Sequence, residues 1–100
     1  MIEKVTAVLN EDEPLAKLLY DLYDNRPTYE KSEKAHAKGK CLFKFVIYDK
    51  YGYYETFEIF KYKNRVILIH GCREHPWCCC GGSEITEDDL HRIKAFLYMS

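Results

Sequence analysis

The sequence predicts an α+β domain: an N-terminal helix, a three-stranded antiparallel meander, a Cys/His metal loop and a C-terminal helix, with the helices on one sheet face. Three observations carry this. Apolar residues recur with helical period between Glu11 and Asp24, and three alternating runs from Cys41 to His70 are separated by short turn segments. Thr86-Glu87-Asp88-Asp89 then opens a final amphipathic stretch. One hundred residues, 47% hydrophobic and 31% charged, make one folded domain over residues 1–100. A chain of that length buries about two-thirds of the surface it exposes when unfolded.

Residues 2–9 are ambiguous between a short strand and a helical turn. From Glu11 to Asp24 the reading is firmer, because Leu15, Leu18, Leu19, Leu22 and Tyr23 fall on one helix face. Asn10 or Asp12 can cap that helix, Pro14 suits its first turn, and Asn25-Arg26-Pro27 ends it. Residues 28–40 hold almost nothing to bury and read as a polar loop or a weak exposed helix. In the run Cys41–Tyr48, Cys41, Phe43, Phe45 and Ile47 share one face, opposite Lys44, Val46 and Tyr48. Asp49-Lys50-Tyr51-Gly52 is a turn in which Gly52 can take positive φ, and Tyr53–Phe60 alternates around Tyr53, Phe57 and Ile59. Lys61-Tyr62-Lys63-Asn64 turns again, with Asn64 suited to positive φ, into a third strand over Arg65–His70. The last helix has the plainest start: Thr86 as N-cap, Asp89 three residues on, Ile85 and Leu90 at staple positions, and Leu90, Ile93, Phe96 and Leu97 as its buried stripe.

Between His70 and Cys80 lie four cysteines and two histidines in eleven residues, His70-Gly-Cys72-Arg-Glu-His75-Pro-Trp-Cys78-Cys79-Cys80. Thiolate and imidazole are the donors zinc prefers, and four of them close a tetrahedral site. The sequence therefore predicts Zn2+ on a loop between a strand and a helix. His70, Cys72, Cys78 and Cys80 are the expected ligands, because each pair is spaced by two; Cys79 and His75 are reserves. The spacing matches no standard zinc finger. Cys41 is expected to pack as a small hydrophobe. Trp77 beside Pro76 is placed to shield the metal or to stand exposed as an interface anchor. Five cysteines, three of them consecutive, favour metal over a disulfide framework. The N-terminus has no signal-peptide pattern, and no apolar run reaches the roughly 18 residues of a membrane span, so a monomer in the cytoplasm of a bacterial host is expected.

Net charge is −1, unevenly spread. Residues 31–73 carry ten Lys or Arg against four Asp or Glu, a local balance of +6 between acidic ends. Such a middle can meet phosphate or an acidic protein surface, or simply keep a sheet face in solution. A cysteine nucleophile activated by His70, His75 or His91 is the enzymatic alternative. Adjacent thiols would capture metal first, and no paired carboxylates, nucleophile elbow or cofactor fingerprint appears. The chain is therefore read as a non-enzyme.

Nine tyrosines, five of them among lysines on the hairpins, point to protein contact. Tyr51, Tyr54, Lys50 and Lys63 are the expected partner-binding residues. With one small domain, a Cys72-to-Cys80 ligand loop and no catalytic signature, the chain resembles the small phage anti-CRISPR proteins, in particular the zinc-binding type II-A inhibitors of Cas9. That resemblance implies Cas9 as partner and inhibition by blocking its nucleic-acid loading or its activation. Its charge argues against DNA mimicry and for occupying a Cas9 surface. The predicted α-β-β-β-α order, with Pro27-Thr28-Tyr29-Glu30 after the first helix, is also similar to double-stranded-RNA-binding domains, which makes a nucleic-acid-binding module the alternative. Those domains contact the duplex through a basic cluster at the start of the last helix, where this chain has Glu87-Asp88-Asp89.

Overall fold

The computed structural model describes residues 5–98. Its elements in order are β1 (Val5–Asn10), α1 (Pro14–Asn25), α2 (Ser32–Lys38), β2 (Lys40–Tyr48), β3 (Tyr54–Tyr62), β4 (Arg65–Gly71), β5 (Gly81–Ile85) and α3 (Glu87–Tyr98). The strands form one mixed sheet in the order β1-β2-β3-β4-β5, with β1 parallel to β2 and every other pair antiparallel. The α+β class holds, and the expected meander is the middle of this sheet. It gains a strand on each side, so the order is not α-β-β-β-α.

The ambiguous segment resolves as strand over residues 5–10, and residues 2–4 lie outside the described residues. Parallel pairing of β1 with β2 requires a crossover, and α1 with α2 supplies it. α1 buries Leu15, Leu18, Leu19 and Leu22 as its period dictates, while Tyr23 is half-buried. Neither Asn10 nor Asp12 caps it. Glu13 holds the N-cap position ahead of Pro14, and its carboxylate reaches back to accept the Asn10 N–H at 2.6 Å.

β5 was hidden because Gly81-Gly82 reads as loop chemistry. Gly82 is needed there because a side chain would collide with Ser32 of α2. Ser83 Oγ donates to the Tyr23 carbonyl at 3.0 Å. Residues 27–29 close the outer edge of β5, with Tyr29 N–H donating to Gly82 O and Glu84 N–H to Pro27 O, both at 2.9 Å.

The helices occupy both sheet faces, not one. On the first, α1 and α3 cover Phe45, Phe57, Ile59 and Leu68, each at most 0% exposed, with Leu19, Leu22 and Ile93 against them. On the second, α2 packs Ala35 onto Phe60, Ile67 and Ile69. Ser32 is buried beside Gly82, and His36 adds an edge-on contact to Phe60 and reaches Glu58 at 3.3 Å. Register shifts between Cys41 and Phe43, since Cys41 pairs with Phe60 and Phe43 with Ile59. The extra residue, Leu42, puts Cys41 on the opposite face from Phe43, contrary to simple alternation. Cys41 packs against the second cluster as the small hydrophobe expected.

Both turns form. Gly52 has φ 88°, and Asp49 Oδ1 accepts the N–H groups of Tyr51 and Tyr53. Asn64 takes positive φ as expected, and so does Lys63. At α3 the capping box is complete: Thr86 Oγ1 accepts Asp89 N–H and Asp89 Oδ2 accepts Thr86 N–H, each at 3.0 Å. Leu90 and Ile93 are buried and Leu97 half-buried, but Phe96 is 45% exposed and leaves the expected stripe.

Candidate functional site

The Cys/His loop, residues 72–80, joins β4 to β5 rather than a strand to a helix. It folds back over the second sheet face beside α2. Thr56 Oγ1 donates to the Pro76 carbonyl, and Gly71 lies so close to that carbonyl that any side chain there would displace it. Trp77 packs on Tyr54, ring centroids 6.0 Å apart, and Lys44 Nζ stands 4.1 Å from the indole.

The six residues expected as metal ligands divide into three environments. His70 turns to the first sheet face, away from the loop. Its Nε2 meets Glu55 Oε1 at 2.6 Å, and its ring lies among Tyr23, Phe57 and Tyr20. Cys79 turns the other way, against the Ala35, Phe60, Ile67 and Ile69 cluster, where burial pushes its thiol up. It also sits in the wall of a groove of about 380 Å³ that reaches Thr28–Lys34. Cys72, His75, Cys78 and Cys80 remain in the loop. Cys72 and Cys80 meet, with sulfurs 2.8 Å apart and the Cys72 N–H donating to Cys80 Sγ at 3.2 Å. Partial burial and then the Cys72 thiol push the Cys80 thiol up. His75 and Cys78 are exposed. Among the described residues no three His, Cys, Asp or Glu side chains are gathered as they stand around a point that would hold a metal ion.

Glu55 was absent from the residues singled out in the sequence. It accepts from Tyr20 Oη at 3.0 Å as well as meeting His70, and burial followed by the Glu55 charge pushes the Tyr20 phenol up. Its signal was parity: Glu55 shares a strand face with Phe57 and Ile59, so a carboxylate there needs partners.

The aromatic residues sort by position along the strands. Tyr51 and Tyr53, at the β2–β3 turn, are 72% and 55% exposed, and Trp77, packed on Tyr54, is 45% exposed. Trp77 is thus at the surface. Each is backed by a cation: Lys50 lies over Tyr51, Arg73 over Tyr53 at 3.7 Å, and Lys44 over Trp77. Tyr54 is half-buried between Tyr48 and Trp77 and holds the group together. Of the expected partner-binding residues, Tyr51, Tyr54 and Lys50 gather at this end. Lys63 sits at the β3–β4 turn, the opposite end of β3, over Tyr62.

Part of the basic middle is paired with acids of the same chain at the surface. Lys61 Nζ pairs with Glu87 Oε1 at 2.6 Å and Arg65 with Glu84 at 2.7 Å. Among the described residues no helix is long and apolar enough to cross a membrane. No protein-family model, curated protein or solved structure matches the chain.

Proposed function

We propose that the chain is a binding protein that performs no chemistry and acts by occupying a protein partner through the rim formed by Tyr51, Tyr53, Tyr54 and Trp77. The observation that carries this reading is the set of exposed, cation-backed rings on the β2–β3 hairpin and on the loop that packs against it through Trp77 and Tyr54. Rings with two rotatable bonds give large contact area at low entropic cost and supply the anchors of ordinary interfaces. Acidic Asp49 and Glu74 adjoin basic Lys50 and Arg73 in the sequence of these two segments. Mixed charge suits a protein surface better than a uniform polyanion. At the start of α3, where a duplex-RNA-binding domain needs a basic cluster, this chain has Glu87-Asp88-Asp89.

The partner proposed is Cas9, following the resemblance to the type II-A anti-CRISPR proteins, and inhibition comes from blocking its nucleic-acid loading or activation. The test is co-elution with Cas9 and slowing of target cleavage, titrated against the molar ratio. Inhibition should saturate near one chain per Cas9, and Tyr51→Ala with Tyr53→Ala should weaken it by about 2 kcal/mol or more while leaving the melting temperature unchanged. Failure to co-elute and to inhibit at saturating excess removes Cas9 as the partner. A shift of plain duplex RNA with a steep salt dependence would put the nucleic-acid reading in its place.

A further inference from the structure

The geometry of the 72–80 loop points to a zinc site built by Cys72, His75, Cys78 and Cys80, which we propose in place of the His70-based set. His70 is committed to Glu55 and to three aromatic rings on the far sheet face. Cys79 is committed to the apolar cluster under α2. The remaining donors number four, as a closed tetrahedral site requires.

Backbone hydrogen bonds already close the loop that carries these four residues. Cys80 N–H donates to His70 O at 2.9 Å, which brings the far end of the loop back to its start. His75 N–H donates to Cys72 O at 3.0 Å and Cys78 N–H to His75 O at 3.1 Å, two successive turns that space the donors three residues apart. The carbonyl of His75 lies 3.8 Å from Cys80 Sγ. Cys72 and Cys80 sulfurs at 2.8 Å are too far apart for a bond of about 2.05 Å, yet the Cys72 N–H donates to the Cys80 sulfur as amides do to metal-held thiolates. His75 and Cys78 are exposed, so no core packing holds their side chains away from the Cys72–Cys80 pair. Binding exchanges three thiol protons for one Zn2+ held by three thiolates and a neutral imidazole, with the protons released to solvent. Trp77, whose ring packs on Tyr54, lies in the chain between the donors His75 and Cys78.

The site is independent of the identity of the partner, and its test needs none. The full chain, purified under reducing conditions, is analysed for zinc, and the metal-free protein is titrated with Co2+, whose thiolate charge-transfer and tetrahedral bands report the donors. One equivalent of zinc and a Co2+ spectrum with thiolate and tetrahedral signatures are expected. His75→Ala should weaken Co2+ binding by at least about tenfold, whereas His70→Ala and Cys79→Ser should leave it unchanged. His75 is exposed, so its variant folds whatever the metal does, and Cys80→Ser with a hydrodynamic check of folding supplies the thiol arm. Loss of metal from His70→Ala with retention in His75→Ala overturns the ligand set. A protein without zinc that titrates five free thiols, or one whose mass and thiol count show a Cys72–Cys80 disulfide formed before metal is offered, overturns the site itself.

Discussion

Arg26 and Asp89 lock the end of α1 to the start of α3: guanidinium Nε and Nη2 each donate to one carboxylate oxygen at 2.8 Å. The same carboxylate accepts the Thr86 N–H, so one buried side chain closes a capping box and joins two helices. Arg26, and secondarily the Thr86 contacts, hold Asp89 down from its ordinary value of 3.8 to about 2 against the opposing effect of burial. A carboxylate that titrates lower in the folded state stabilises fully above its unfolded value and loses that contribution as pH falls toward the folded one. Unfolding free energy should therefore drop by at most about 2 kcal/mol between about pH 4 and pH 2 on account of this group. Asp89→Asn should be less stable at neutral pH and show a shallower decline across that window in urea titrations. An unchanged slope would mean that the ion pair adds nothing in solution.

His70 and Glu55 offer a second test, because both were drawn into the first sheet face by register. Glu55→Ala leaves the imidazole Nε2 and the Tyr20 hydroxyl without their partner, at a cost of about 1–3 kcal/mol for a half-buried polar pair. His70→Ala should destabilise by a comparable amount through lost ring packing with Tyr23 and Phe57. The double variant should cost less than the sum of the two, since each single change removes the same contact. Strict additivity in denaturant melts would show that the two side chains act separately.

How much of this could be read from the chain follows from what each segment had to bury. α1, the three central strands, both turns and the Thr86 capping box were legible because period, glycine or asparagine at the turn, and cap chemistry are local signals. β1 was legible only as one of two readings, since it buries a single residue, Leu9; β5 was not, because two glycines masked its pattern. α2 reads as polar because Ala35 is its one buried apolar residue. The Leu42 bulge reversed the facing of Cys41, which alternation alone cannot register. In the Cys/His loop the donor types were legible and the assignment was not: whether His70 faces the loop or the core depends on strand parity, and parity assigns it to the core with Glu55.

Trp77 is the only tryptophan in the chain, so its fluorescence reports whether the loop lies on the sheet. Lys44→Met should remove the cation 4.1 Å from the indole ring and cost about 0.5–1 kcal/mol while leaving the loop seated. The emission maximum should stay close to that of the native protein. A large red shift would mean that Lys44, rather than Tyr54 and the Pro76 contact, seats the ring.

Gly71→Ala should do the opposite. The added methyl meets the Pro76 carbonyl and Thr56 Oγ1, and the first of these is backbone that cannot rotate aside. The loop must lift, taking Trp77 off Tyr54 and Lys44. The expected cost is about 1–3 kcal/mol, as for other overpacked sites, or roughly 4–8 °C of melting temperature per kcal/mol in a domain of this size. Tryptophan emission should move to the red in the native baseline, before any unfolding. Thr56→Val is the control, because it deletes the hydroxyl that donates to Pro76 without adding bulk at position 71. It should destabilise more weakly and shift the emission less. A Gly71→Ala protein with native stability and native emission would show that the loop does not rest on this strand.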